Sequence, residues 1–123
     1  VAKDVDSVYV FGDNSEDAIS CYVPSSTQAV IRSLPNTLGI STKRNRRLEH
    51  RSFFSDEDYE LFMSYLETKI DILKFKLYEG KTIVFPEQGI GTGKAMLKEK
   101  APLCWEYLCK RLKEEFNYDN GQL

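Results

Sequence analysis

The chain has 123 residues, 41% apolar and 29% charged, and its 17 basic and 19 acidic side chains leave a net charge of −2. This is the composition of one globular domain. It gives no global pull toward nucleic acid or acidic membranes, and no apolar run approaches the roughly 18 residues of a membrane span.

The elements follow in chain order. Ser7 to Phe11, SVYVF, is β-branched and aromatic and predicts a buried strand that ends in the turn Gly12-Asp13-Asn14. Ser15 to Thr27 is polar and broken by Pro24, so it is expected to be a loop, with Ile19 to Val23 as a short strand within it. Gln28 to Ser33 predicts a short helix stopped by Pro35-Asn36, and Leu38 to Thr42 a second short strand. The basic run Lys43 to Arg51 is expected to be a loop.

Asp56 to about Glu79 carries the clearest helical signal. Tyr59, Phe62, Leu66, Ile70, Leu73 and Leu77 recur at spacings of three and four, Ser55 and Asp58 are set as a capping box, and Gly80 stands where a left-handed terminator is wanted. Lys81 to Phe85 predicts a strand ended by Pro86. A last helix is expected from about Ala101 to Phe116, with Pro102 in its first turn and Trp105, Leu108, Cys109, Leu112 and Phe116 facing inward. Residues 116–123 are expected to fray. The long helix reads as a crossover between parallel strands, so the fold class is α/β: a small mixed or mostly parallel sheet with flanking helices, in one domain over 1–123.

In such sheets ligands bind beyond the carboxyl ends of the strands. Both confident strands end in glycine-bearing turns, at Gly12-Asp13-Asn14 and at Gly89-Ile90-Gly91-Thr92-Gly93. If the strands are parallel neighbours, the turns share one rim. Glycines admit positive φ and close approach, exposed amides form anion-binding concavities, and Thr92 and Lys94 add a hydroxyl and an ammonium. The group suits a phosphate or diphosphate, although the spacing is neither a Walker motif nor GxGxxG. The structural alternative is a tight turn. Asp13 and Asn14 either cap the turn locally or meet a ribose or base edge. Asp13 and Glu87 are the two candidate catalytic carboxylates, able to orient a water, or else to pair with Lys94 and Arg32. Lys43 is the basic-run residue set to reach a strand-end site.

Three cysteines, Cys21, Cys104 and Cys109, cannot all pair within the chain and form no CxxC, which points to a reducing cytoplasm. The single histidine, His50, has no ligand cluster around it, so neither a metal nor another cofactor is expected. No leader pattern is visible, and neither export nor a membrane partner is expected.

The segments VYVFGDN, QAVIRSLPNTLGISTKR, FFSDEDY and GKTIVFPEQGIGTGKAMLKEKAP, taken in that order, resemble a family of small uncharacterised proteins common in bacteriophages and bacteria. The resemblance implies a macro-domain-like α/β fold and binding of ADP-ribose or a related nucleotide. It points to Gly12, Asp13, Asn14, Gln28, Arg32, Lys43 and the Gly89 to Gly93 turn. The chain departs from the family pattern where GxGGQA becomes Pro24-Ser25-Ser26-Thr27-Gln28-Ala29 and where GIPTK becomes GISTK.

The leading expectation is a phage-type protein in the host cytoplasm that binds a phosphorylated nucleotide or ADP-ribose-like ligand, as anti-defence sequestration of a host signal. No catalysis is required; a hydrolase acting on such a ligand is the enzymatic variant. The departure motivates an alternative, an interaction protein that inhibits a host protein through Tyr22 and Phe53-Phe54. Nucleic-acid binding through the basic run is the third reading.

Overall fold

A computed structural model describes residues 4–24 and 28–121. Strand β1 (Ser7–Asp13) lies at the centre of a three-stranded, all-parallel sheet, between β2 (Thr37–Ser41) and β3 (Thr82–Val84). Tyr9 to Asp13 pair with Thr37 to Ser41, while only Ser7 to Tyr9 pair with Thr82 to Val84. The β3 edge therefore stops four residues short of the rim that β2 reaches. Pro86, which has no N–H to donate, stands two residues beyond its end.

The connection from β2 to β3 contains the long helix α2 (Tyr59–Tyr78), led by a 3-10 turn over Asp56–Asp58. The Ser55 N–H donates to the Asp58 carboxylate at 2.8 Å, one arm of the expected capping box. At the other end Gly80 has φ +87°, its N–H bonds Leu77 O, and Lys81 N–H bonds Lys76 O. That double bond over a left-handed glycine is a Schellman closure. The core is the layer between the sheet and its helices. Val8, Val10 and Ile40 meet Phe62, Leu66, Ile70 and Leu73 of α2 and Cys104, Leu108 and Leu112 of α4 (Pro102–Phe116). Of the predicted α2 stripe, Leu77, in the last turn of the helix, is exposed.

The structure corrects the sequence reading in three places. Ser15–Ser20 is helix α1, and no strand forms over Ile19 to Val23. The Asn14 side chain accepts from Asp17 N–H at 2.9 Å, and Glu16 and Asp17 occupy the first turn, where the helix dipole favours acids. Ile19 is 85% exposed, so the helix has no apolar stripe for periodicity to detect. A short helix α3 (Leu97–Lys100) precedes α4. Finally, the segment after Phe116 is packed as far as it is described. Asn117 closes α4 with φ +53°, Tyr118 stacks on Phe85 at 4.4 Å between ring centroids, and Asn120 is buried. No described helix is long and apolar enough to cross a membrane.

Candidate functional site

The early end of β3 exposes a problem at the rim. Tyr9 N–H bonds Asn36 O on the β2 side, so Gly12, an odd number of residues later, directs its N–H toward the β3 side. No strand is there to receive it. The side chain of Gln28 fills the gap: its Oε1 accepts from Gly12 N–H at 2.7 Å, and its Nε2 donates to Gly89 O at 3.0 Å. One primary amide stands in for the missing peptide of β3 and ties the first turn to the glycine turn. Glycine suits this position, since a Cβ there would lie 3.1 Å from Gln28 Oε1 and would crowd the bridging amide. The turns closing β1 and β3 therefore meet at one rim.

Above that rim is a cavity of about 530 Å³. Gly12, Asp13, Asn14, Gln28, Arg32, Lys43, Gly89, Gly91, Thr92 and Lys94 all line it, as the sequence proposes. Three proposed residues do not. Ile90 is fully buried in the core, and Glu87 is exposed and away from the cavity, so it cannot act as a second carboxylate beside Asp13. Gly93 is exposed and structures the turn rather than the wall. Of the family departure, Pro24 lines the cavity and Ser25 to Thr27 lie outside the described residues.

The charges fall into two classes. Asp13 is buried, accepts from its neighbour Asn14 N–H at 2.7 Å, and receives the Arg32 guanidinium through Nε and Nη2. Asn14 is occupied as the cap of α1 and by a bond from its Nδ2 to Asp17. Local capping, not sugar recognition, accounts for the side-chain contacts of Asn14. Asp17 in turn holds Arg46 at 3.6 Å. These two ion pairs cancel within the cavity wall.

Lys43 and Lys94 are different: among the described residues no carboxylate pairs with either. Lys43 is only 6% exposed. Its Nζ donates to Arg47 O at 2.7 Å and sits 4.7 Å from the centre of the Phe53 ring. Burial, and secondarily the ammonium of Lys94, hold its pKa below the ordinary lysine range. In the glycine turn, Ala95, Met96 and Leu97 N–H groups bond back to Thr92, Gly93 and Gly91. No hydrogen bond within the described residues engages the N–H groups of Gly91, Thr92, Gly93 or Lys94. The site thus offers free amides and two uncompensated ammoniums, a combination that favours an anion.

Three residues escaped sequence reasoning. Asp17 and Arg46 lie in segments read as loop, and nothing in their spacing links them. Asn120 shapes the turn from a tail expected to fray. Its Oδ1 accepts from Ile90 N–H at 2.7 Å and its Nδ2 donates to Ile90 O at 3.0 Å. The interaction surfaces are also revised. Phe53 is buried between Lys43 and Lys100, and Phe54 packs on the core against Phe62, so neither is an exposed anchor. In the basic run Arg44, Arg46 and Arg47 are paired with Asp58, Asp17 and Glu16. Most of its charge is answered inside the fold, which weakens its pull on a polyanion.

A family model described as a family of unknown function (DUF7831) matches residues 1–111. The chain belongs to this family. No curated protein matches the chain, and no solved structure does. The DUF7831 match ends inside α4, so Asn120 and its contacts with the glycine turn lie beyond the matched residues. Among the described residues no cluster of His, Cys, Asp or Glu is placed to hold a metal ion.

Proposed function

We propose that this member of DUF7831 binds a phosphorylated nucleotide or ADP-ribose-like ligand at the rim cavity. The observation that carries the reading is the pair Lys43 and Lys94, two lysines on one cavity wall with no described carboxylate partner. Lys94 is exposed and Lys43 is buried; for Lys43 an uncompensated ammonium is costly, and a protein retains one where an anion restores the balance. The volume lies in the range of small-molecule sites, ~300–1,000 Å³, and the position beyond the carboxyl ends of parallel strands is where α/β sheets take ligands. The phosphate would lie against the Gly91 to Lys94 amides, with both ammoniums beside it, in a macro-domain-like manner. Binding alone performs the role: in a phage-type protein of the host cytoplasm, a stoichiometric trap removes a nucleotide defence signal without a reaction. The paired state of Asp13 and the remoteness of Glu87 favour binding over hydrolysis.

Titration calorimetry with ADP-ribose, NAD and cyclic nucleotides tests the reading. Micromolar binding that Lys43→Met and Lys94→Met each weaken supports it. No heat at millimolar ligand with folded protein overturns it. Mass spectrometry of small molecules released on denaturation gives the ligand directly.

A further inference from the structure

Helix α2 carries a second stripe, turned away from the core. Leu61, Tyr65, Thr68, Ile72 and Phe75 recur at alternating spacings of four and three, the a and d positions of two heptads. At 3.6 residues per turn they lie about 140° round the helix from the core residues Phe62, Leu66, Ile70 and Leu73. Leu61 is 77% exposed, Ile72 39% and Phe75 59%. Thr68 is exposed as well, and Tyr65 is half-buried, its hydroxyl accepting from Ser41 N–H at 2.7 Å. The five positions hold no charge, whereas a solvated helix face is ordinarily charged.

The charges beside the stripe say what covers it. With Leu61, Thr68 and Phe75 at d and Tyr65 and Ile72 at a, Asp71 falls at g and Lys69 and Lys76 fall at e. Two parallel helices place a g residue beside the partner's e residue five positions on, and such pairs set partner and orientation. Asp71 then meets the partner's Lys76, and symmetry forms the pair twice. Asp71 is exposed and, among the described residues, has no ion pair or hydrogen bond. Lys76 holds only Glu79, three residues on, at 3.5 Å. An antiparallel copy would set e against e, lysine facing lysine, and leave Asp71 without a cation. The face is therefore complementary to itself in one orientation.

We infer that the outer face of α2 is a homodimer interface, a parallel two-helix seam between two copies of this chain. Two heptads are too few to fold as a free coiled coil, but α2 is already held by the sheet, so the contact has only to dock it. The seam is about 21 Å long, and a contact of that size gives a weak dimer, with a Kd in the micromolar range. Near its start α2 meets the end of β2, where Tyr65 holds Ser41. A parallel seam therefore brings both rim cavities to the same end of the dimer. The inference does not depend on what the cavity binds.

Sedimentation equilibrium of the full chain across the micromolar range tests it. The wild type should pass from monomer to dimer as concentration rises. Ile72→Glu and Phe75→Glu, both at exposed positions, should each weaken the dimer at least about tenfold, because each puts a charge into the closed seam. Thermal melts at low concentration should stay unchanged. Asp71→Lys and Lys76→Glu should each weaken the dimer about threefold or more. The double variant restores the pair with its signs exchanged and should recover wild-type affinity. The contact of Lys76 with Glu79 stays broken in that variant, so recovery reports the contact between copies. A chain that remains monomeric throughout, or a dimer indifferent to Ile72→Glu and Phe75→Glu, overturns the interface. Capture of a different protein by the monomer through Phe75 gives the face to that partner and overturns it too. A dimer that the double variant does not restore overturns the parallel register.

Discussion

The Asn120 side chain holds both backbone groups of Ile90, accepting its N–H at 2.7 Å and donating to its carbonyl at 3.0 Å. One amide from the last turn of the chain thus completes the backbone of a fully buried residue in the middle of the glycine turn. Tyr118 adds a bond from its hydroxyl to Pro86 O, and Gly121 N lies where a Cβ on Gly89 would be, 2.7 Å away. The turn owes its shape to the residues that follow α4.

Asn120→Ala should therefore strand two buried groups, at about 1–3 kcal/mol each. Chemical denaturation should show a loss of about 2–6 kcal/mol. Asn120→Asp keeps the acceptor for Ile90 N–H but sets a carboxylate against Ile90 O, and it should be no better than the alanine at neutral pH. A shift within ±0.5 kcal/mol, typical of a surface site, would mean the segment frays in solution after all.

The two outer glycines of the turn should respond differently. Gly89 has φ +87° and backbone against its absent Cβ, whereas Gly93 has φ +58° and open space. Gly93→Ala should cost about 1 kcal/mol, the ordinary charge for a left-handed alanine. Gly89→Ala must also displace Gly121, and should cost several times as much. Thermal melts of the pair settle the comparison.

Lys43 makes a prediction in pH. Its folded pKa is depressed below the ordinary 10.5, chiefly by burial and then by Lys94. The unfolded chain therefore binds the proton more tightly than the folded one. The penalty for the charged form is complete below the folded value and fades as pH rises from there toward 10.5. Lys43→Met should raise stability at neutral pH, with the advantage shrinking in alkali, while weakening phosphate-ligand affinity by at least about tenfold, the worth of one charge-assisted hydrogen bond. A variant that gained stability and kept its affinity would remove Lys43 from the site.

The thiols give a further check. Cys21 is exposed, whereas Cys104 is buried, with its thiol pushed up to about 11 by burial and by Asp58 and Asp56. Burial also raises Cys109. Thiol-reactive dye at pH 7.5 should titrate one cysteine per native chain and all three after denaturation. Rapid modification of more than one would mean that α4 opens readily.

What the sequence determined by itself was local or periodic. The β-branched run of β1, the 3.6-residue stripe and Schellman glycine of α2, and Pro86 at the end of β3 each act within a few residues, so neighbours alone predict them. The glycine turns and their shared rim were also legible, because parallel strands joined by a helix bring their carboxyl ends to one edge. Only the tertiary structure decided which side chains are spent and which are free. Asp13 is tied to Arg32, nineteen residues away, Gln28 reaches Gly89 across 61, and Asn120 reaches Ile90 across 30. Glu87 was excluded, and Lys43 left without a carboxylate, by packing of the same range. Hydrogen bonds and ion pairs over such separations follow from where folded segments lie in space, and no spacing along the chain encodes them.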